Sequence, residues 1–453
     1  MQSLSKHWQT WKTGPSRERT NQPPLRAELF SIEQLTRHAR GLAAAHQIVP
    51  HHTFNRLLAR LDANEQCLLA FNRATRAVNT NRHITPAAEW LLDNFYLIEQ
   101  HIQMARRHLP RSYSRELPRL LNGPSAGFPR VYDIVLELVS HVDAQVDEGA
   151  LSAFTAAYQS VVPLKLGELW AVPIMLRLAL LENLQRITNR MNRAREDRDL
   201  ANQWVDRLQN MADNNPSQII VVVADMAQSE VPLTSSFVAE FCQRLSRHSS
   251  VLHLARSWLE TRLVEQGLSI ERLVDLESQS QAADQVSVSH SIASLRFLSA
   301  TDWKEFVETL SGVDATLHAD PANSYAAMDF ATRDRYRHVI EAVARHSALS
   351  EAEVAQLAVQ LATDAAQLKG PEDRTAHIGF YLIDKGHSLL VRKAKVRWPW
   401  RTLIERGIQS YPLAFYAGGI GVLTLLATCT LVLQAESYGV LCWHTRGKAG
   451  SRP

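Results

Sequence analysis

Near its C-terminal end the chain carries an uncharged, mostly apolar run from Leu413 to Leu433. As a helix rising ~1.5 Å per residue, such a run covers the ~30 Å hydrocarbon core of a bilayer. An apolar stretch of this length exceeds what a buried core helix ordinarily needs. The chain is therefore expected to fold as an all-α, multi-helix body followed by one transmembrane helix, residues 412–434.

The flanks of the run fix an expected orientation. Arg392, Lys393, Lys395, Arg397 and Arg401 interleave with Trp398 and Trp400, and Tyr411 stands at the edge of the span. Basic residues before a span are retained on the cytoplasmic side, and aromatic rings settle at headgroup level. Residues 391–411 thus read as a basic-aromatic juxtamembrane segment against the lipid bilayer, with the body cytoplasmic. Arg446, Lys448 and Arg452 in the short tail, 435–453, weaken the asymmetry.

The charge balance of the rest argues against a nucleic-acid partner. The formal charge is +3 overall, but residues from Asp384 onward carry +7, which leaves the first 383 residues at −4. A mildly acidic body lacks the electrostatic footprint of phosphate binding. The four scattered cysteines, Cys67, Cys242, Cys429 and Cys442, imply neither a disulfide framework nor a metal knuckle, and fit a reducing compartment.

Capping signals mark helix starts. Ser31 stands three before Gln34, Thr85 precedes Pro86, and Ser350 stands three before Glu353; each supplies an acceptor, or removes a donor, where the first helical turn has unpaired N–H groups. Leu91, Phe95, Ile98, Ile102 and Ala105 form one apolar stripe, and Leu176, Leu180, Leu184, Ile187 and Met191 another. Breaks fall at the proline- and glycine-rich Leu109–Arg130, at Asn214-Asn215-Pro216, in the Gln- and Ser-rich stretch from Ser278 to Ser291, and at Lys369–Asp373. The expected organisation is a disordered leader over residues 1–24, a first helical domain over 25–215 and a second over 216–390. Gln218 to Asp225 is β-branched enough for a strand, but with no second strand to pair with it reads as helix.

Candidate chemistry is sparse. The segment from Gly167 to Asn183 is apolar almost all round, so Glu168, Arg177 and Glu182 on it are expected to be buried and ion-paired. Glu168 and Glu182 lie about four turns apart, roughly 20 Å on one helix, too far to act as an acid–base pair. His141, Asp143 and Asp147 have weak metal-ligand spacing, His51 and His52 point in different directions, and Gly123 to Gly127 lacks the Lys and Ser or Thr of a phosphate loop. No catalytic, metal or cofactor residue is therefore assigned. Arg333, Tyr336 and Arg337 share a helix face in the densest charged stretch of the body and form the candidate partner interface.

Several stretches, in order, resemble the N-terminal region of bacterial cyclic β-1,2-glucan synthases. They include Arg26 to Ser31, Ile84 to Asn94, Glu116 to Leu120, Gly127 to Tyr132, Gly167 to Asn183, Asp302 to Phe306, Met328 to His338 and His377 to Gly386. The resemblance implies a membrane glycosyltransferase of the bacterial inner membrane that builds a β-1,2-glucan from UDP-glucose with a divalent metal. Its metal- and nucleotide-binding acids would lie after the first membrane helices, so none is carried over to this chain. On this reading the chain is a membrane-anchoring support region. Its partners are the bilayer and a downstream glycosyltransferase domain or separate catalytic subunit, and the tail from Cys442 is expected to reflect truncation or a frame change. The alternative is a freestanding membrane-tethered helical interaction protein.

Overall fold

Helices begin where the capping chemistry places them. The computed structural model describes residues 23–49, 56–77, 84–109, 116–229, 231–246, 253–398 and 412–437, and eighteen α-helices are found among them. The leader over residues 1–22, His51, His52, Trp400, Arg401, Tyr411 and the tail from residue 438 lie outside the described residues. Ser31 and Gln34 close a reciprocal capping box, as do Ser350 and Glu353.

The chain divides into two compact units, Met1–Gly312 and Val313–Pro453. In the first are α1 (Ile32–Ala45), α2 (Arg56–Arg76), α3 (Pro86–Asp93), α4 (Phe95–His108), α5 (Arg130–His141), α6 (Glu148–Gln159), α7 (Leu166–Asn214), α8 (Ile219–Gln228), α9 (Ser235–Leu245), α10 (His253–Glu265), α11 (Ile270–Ala300) and α12 (Trp303–Leu310). α1 packs on α6, while α7 packs on α2, α5, α9 and α11. The β-branched stretch is helical, as α8, with Ile219, Val222, Val223 and Met226 turned inward.

The expected boundary near Pro216 ends a helix but not a unit. The first unit holds two apolar cores, each of which takes residues from both sides of Pro216, and α7 and α11 run through both: Leu176 to Met191 and Val288 to Leu298 belong to one, Ala201 to Leu208 and Ile270 to Leu273 to the other. Helices shared between cores hold this stretch together, so the division falls at Gly312 instead.

Two further expectations change. The Leu91–Ala105 stripe is not one helix, because it breaks at Asn94, whose side-chain amide donates to the Trp90 carbonyl at 2.8 Å. The Gln- and Ser-rich stretch is not a break either, but the middle of α11. Ser287 and Ser291 within that stretch, and Ser294 just past it, face inward: Asn183 donates its amide to the Ser287 and Ser291 hydroxyls, both at 3.2 Å, and Ser294 bonds the Ala144 carbonyl at 2.6 Å. Each buried hydroxyl is thus partnered, and small side chains let the helices approach.

In the loop from Leu117 to Pro129, β2 (Arg119–Leu120) forms a two-residue antiparallel ladder with the distant β1 (Ile48–Val49). Gly127, at a φ of +84°, returns its N–H to the Leu120 carbonyl at 2.8 Å, a backbone conformation that side chains resist. The Gly123–Gly127 stretch is therefore a tight turn.

In the second unit, α13 (Gly312–Leu317), α14 (Phe330–Arg345), α15 (Glu351–Lys369), α16 (Ile378–Ile383) and α17 (His387–Lys393) enclose a separate core. α15 ends at Gly370, with a φ of +96°. α18 (Pro412–Ser437) contains an apolar stretch of 19 residues, Tyr416–Gln434, none of which is buried. Its threonines return their hydroxyls to helix carbonyls, Thr424 and Thr428 at 2.8 Å and Thr430 at 2.7 Å. That bonding is what a helix needs in hydrocarbon, where no water satisfies polar groups.

Candidate functional site

The apolar start of α7 buries two carboxylates, and each is held by arginine. Glu168 stands at the third position of the helix, where it accepts the Lys165 N–H at 3.0 Å, and it receives Arg130 through two bonds of 2.6 Å. Arg130 also reaches the Pro163 carbonyl at 2.9 Å and lies over the Tyr158 ring. Glu182, deeper in the core, accepts from Arg60, Arg186 and the Tyr132 hydroxyl. Burial pushes its carboxyl up, but the two guanidiniums outweigh this and hold it below the ordinary range. Glu168, held by Arg130 and a backbone N–H, and Glu182, held by two arginines and a hydroxyl, are thus buried members of ion-paired clusters.

Arg177 departs from the expectation of an ion pair. It is buried with no carboxylate partner among the described residues, and donates instead to the carbonyls of Pro173 at 3.2 Å and Leu298 at 3.5 Å. Pro173 and Leu298 supply main-chain oxygens, a signal that residue spacing does not carry. Burial first, and the Arg177 charge second, lower His101 to a pKa of about 4 from its ordinary 6.5. His101 therefore stays neutral in the folded chain at acidities where the unfolded chain protonates it, so stability falls as pH drops from 6.5 toward 4. We expect His101→Gln to flatten this acid limb, by up to ~1.4 kcal/mol per pH unit. Urea unfolding midpoints of both proteins across that range check it; equal slopes would contradict it.

A polar cleft of about 210 Å³ opens in the first unit where α7, α9 and α11 meet. Its carboxylates are all engaged: Asp197 by the Thr234 and Ser236 hydroxyls at 2.8 and 2.9 Å, Glu277 by Arg198 and Ser235, and Asp284 by Arg190. Hydroxyls, guanidiniums and occupied acids line it together with Ala87, Met191 and Ala194.

His141 has a different neighbourhood from the one its sequence spacing indicates. Asp147 caps α6 through the Ala150 N–H, and Asp143 pairs with Arg26 at 3.2 Å. The side chains beside His141 are Glu137, one turn back on α5, and His38 from α1. Phe30 stacks on the His141 ring at 3.9 Å and meets His38 edge-on at 5.6 Å. The Glu137–His141 spacing is visible in the sequence; His38, 99 positions from Glu137, is not.

In the second unit the proposed interface face turns inward. Arg337 is fully buried, bonded to Asp314 at 2.7 Å and Asp334 at 3.3 Å, and Tyr336 is buried as well. Arg333 is half-buried. The stripe that carries Tyr336 and Arg337 also carries Ile340 and Val343, and the apolar members decide which way α14 faces. Arg392, Lys393, Lys395 and Arg397 are exposed, whereas Trp398 rests against the His346 ring at 4.9 Å.

No protein-family model matches the chain. Over 407 residues, 89% of its length, it is 33% identical to the cyclic β-(1,2)-glucan synthase NdvB of Rhizobium meliloti strain 1021. The alignment covers 14% of that relative, so the chain is a partial homologue, spanning a small part of a much longer protein.

Proposed function

We propose that this partial homologue of a cyclic β-(1,2)-glucan synthase is the helical, membrane-linked support region of such an enzyme, with the sugar-transferring part on polypeptide outside these residues. The observation that carries the reading is the 33% identity extending over 89% of the chain. Two features support it. The buried carboxylates of α7 and of the polar cleft are committed to arginines and hydroxyls, which suits a scaffold rather than a proton-transferring centre. The exposed basic residues 392–397 precede an apolar helix, an arrangement that keeps the body on the cytoplasmic side of the bacterial inner membrane.

In this arrangement UDP-glucose and its divalent metal belong to the catalytic part, and the support region positions that part and its growing glucan at the membrane. The test has two arms. The purified, membrane-reconstituted chain, given labelled UDP-glucose with Mg²⁺ or Mn²⁺, should form no glucan; labelled glucan would overturn the assignment of chemistry to another part. A chimera of the Rhizobium meliloti synthase carrying this chain in place of its aligned segment should still make cyclic glucan. An inactive chimera present in the membrane at normal abundance would overturn the support role.

A further inference from the structure

We propose that His38, Glu137 and His141 form a binding site for a divalent transition metal of the zinc class, joining α1 to α5. Glu137 and His141 stand one helical turn apart, so both side chains leave the same face of α5. His38 meets them from α1, with its Nε2 3.0 Å from Glu137 Oε2, while Nε2 of His141 is 3.6 Å from the same oxygen. All three ligand atoms lie within 4.8 Å of one another. Ligands bonded to zinc at ~2.0–2.1 Å in a tetrahedron stand roughly 3.4 Å apart. An ion is therefore accommodated by small side-chain shifts without backbone movement.

The ring of His141 is oriented for this task. Its Nδ1 is 2.7 Å from the Glu28 carbonyl, and because a carbonyl oxygen only accepts, Nδ1 carries the proton. In the neutral ring Nε2 then turns a lone pair toward the Glu137 carboxylate. Two acceptors so close repel unless a positive charge stands between them. Anchoring the far nitrogen on a backbone carbonyl is how metal-bound histidines are generally held. Phe30, stacked on one ring and edge-on to the other, restricts both.

Ligand chemistry selects the ion. Two imidazoles with one carboxylate favour zinc and its neighbours over magnesium or calcium, which prefer oxygen ligands throughout. The His38 and Glu137 side chains are 32% and 35% exposed, so an ion has a path in and a fourth position open to water.

The test is a calorimetric titration of Zn²⁺ into the full chain, purified in detergent without a histidine tag, stripped with chelator and held in excess Mg²⁺. One Zn²⁺ per chain is expected, with affinity lowered at least ~10-fold by His38→Gln and by Glu137→Gln. The unfolding midpoint of the unaltered chain should rise with Zn²⁺, and that of each variant should not. Both substitutions fall at partly exposed side chains, and unchanged helical circular dichroism would establish that the variants fold. Absence of Zn²⁺ binding by the unaltered chain, or equal binding by folded variants, would overturn the site.

Discussion

Glu182→Gln is expected to destabilise the first unit by about 3–5 kcal/mol, the usual cost of removing one partner from a buried ion pair. Glutamine preserves the shape but leaves Arg60 and Arg186 facing a neutral group in a site where the Glu182 side chain is 2% exposed. Desolvating two cations without an anion is the dominant penalty, and it outweighs the lost Tyr132 hydrogen bond. Denaturant unfolding at neutral pH measures the effect, and a loss below ~1 kcal/mol would mean that solvent screens the cluster. The pH dependence gives a second reading. Because the folded carboxyl is held below its ordinary range, its contribution is complete above the unfolded pKa and disappears as pH falls through the folded one. The difference between the unaltered chain and the variant should therefore shrink in acid.

Removing residues 412–437 should move the protein from an almost wholly membrane-bound state to an almost wholly soluble one. Leu423, Leu425 and Leu431 are each about two-thirds exposed, and nothing else among the described residues covers that helix. Each buried leucine, isoleucine, valine or phenylalanine contributes ~0.3–0.6 kcal/mol to insertion, so a run of them dominates partitioning. Ultracentrifugation of cell lysates, with detergent extraction of the pellet, measures it. A shortened chain that still pellets and resists salt would show that another surface binds the membrane.

Local chemistry was the part of this fold that the sequence displayed openly. Ser31 with Gln34 and Ser350 with Glu353 cap helices because a hydroxyl and a carboxamide or carboxylate three residues on satisfy N–H groups wherever they occur. The Leu176 to Met191 stripe was equally readable, since period decides which face is buried. What resisted reading was partner choice over long separations. Arg130 meets Glu168 across 38 positions and Arg60 meets Glu182 across 122, and no local rule selects them. The serines of α11 misled for a related reason: a hydroxyl reads as solvent-facing until Asn183 is known to lie opposite. Arg337 misled in the same way, because Asp314 makes its burial tolerable.

The 49 residues of α7 form a rod about 74 Å long. Pro173 sits within its first turns, where a missing N–H loosens the helix, while the polar cleft borders it some five turns further on. Geometry makes such a rod a lever arm: a tilt of about 5° at the proline end sweeps the far end through roughly 6 Å. Because α2, α5, α9 and α11 pack along it, such a tilt would have to carry both cores of the first unit with it, and a spectroscopic distance probe at the two ends would record whether it does.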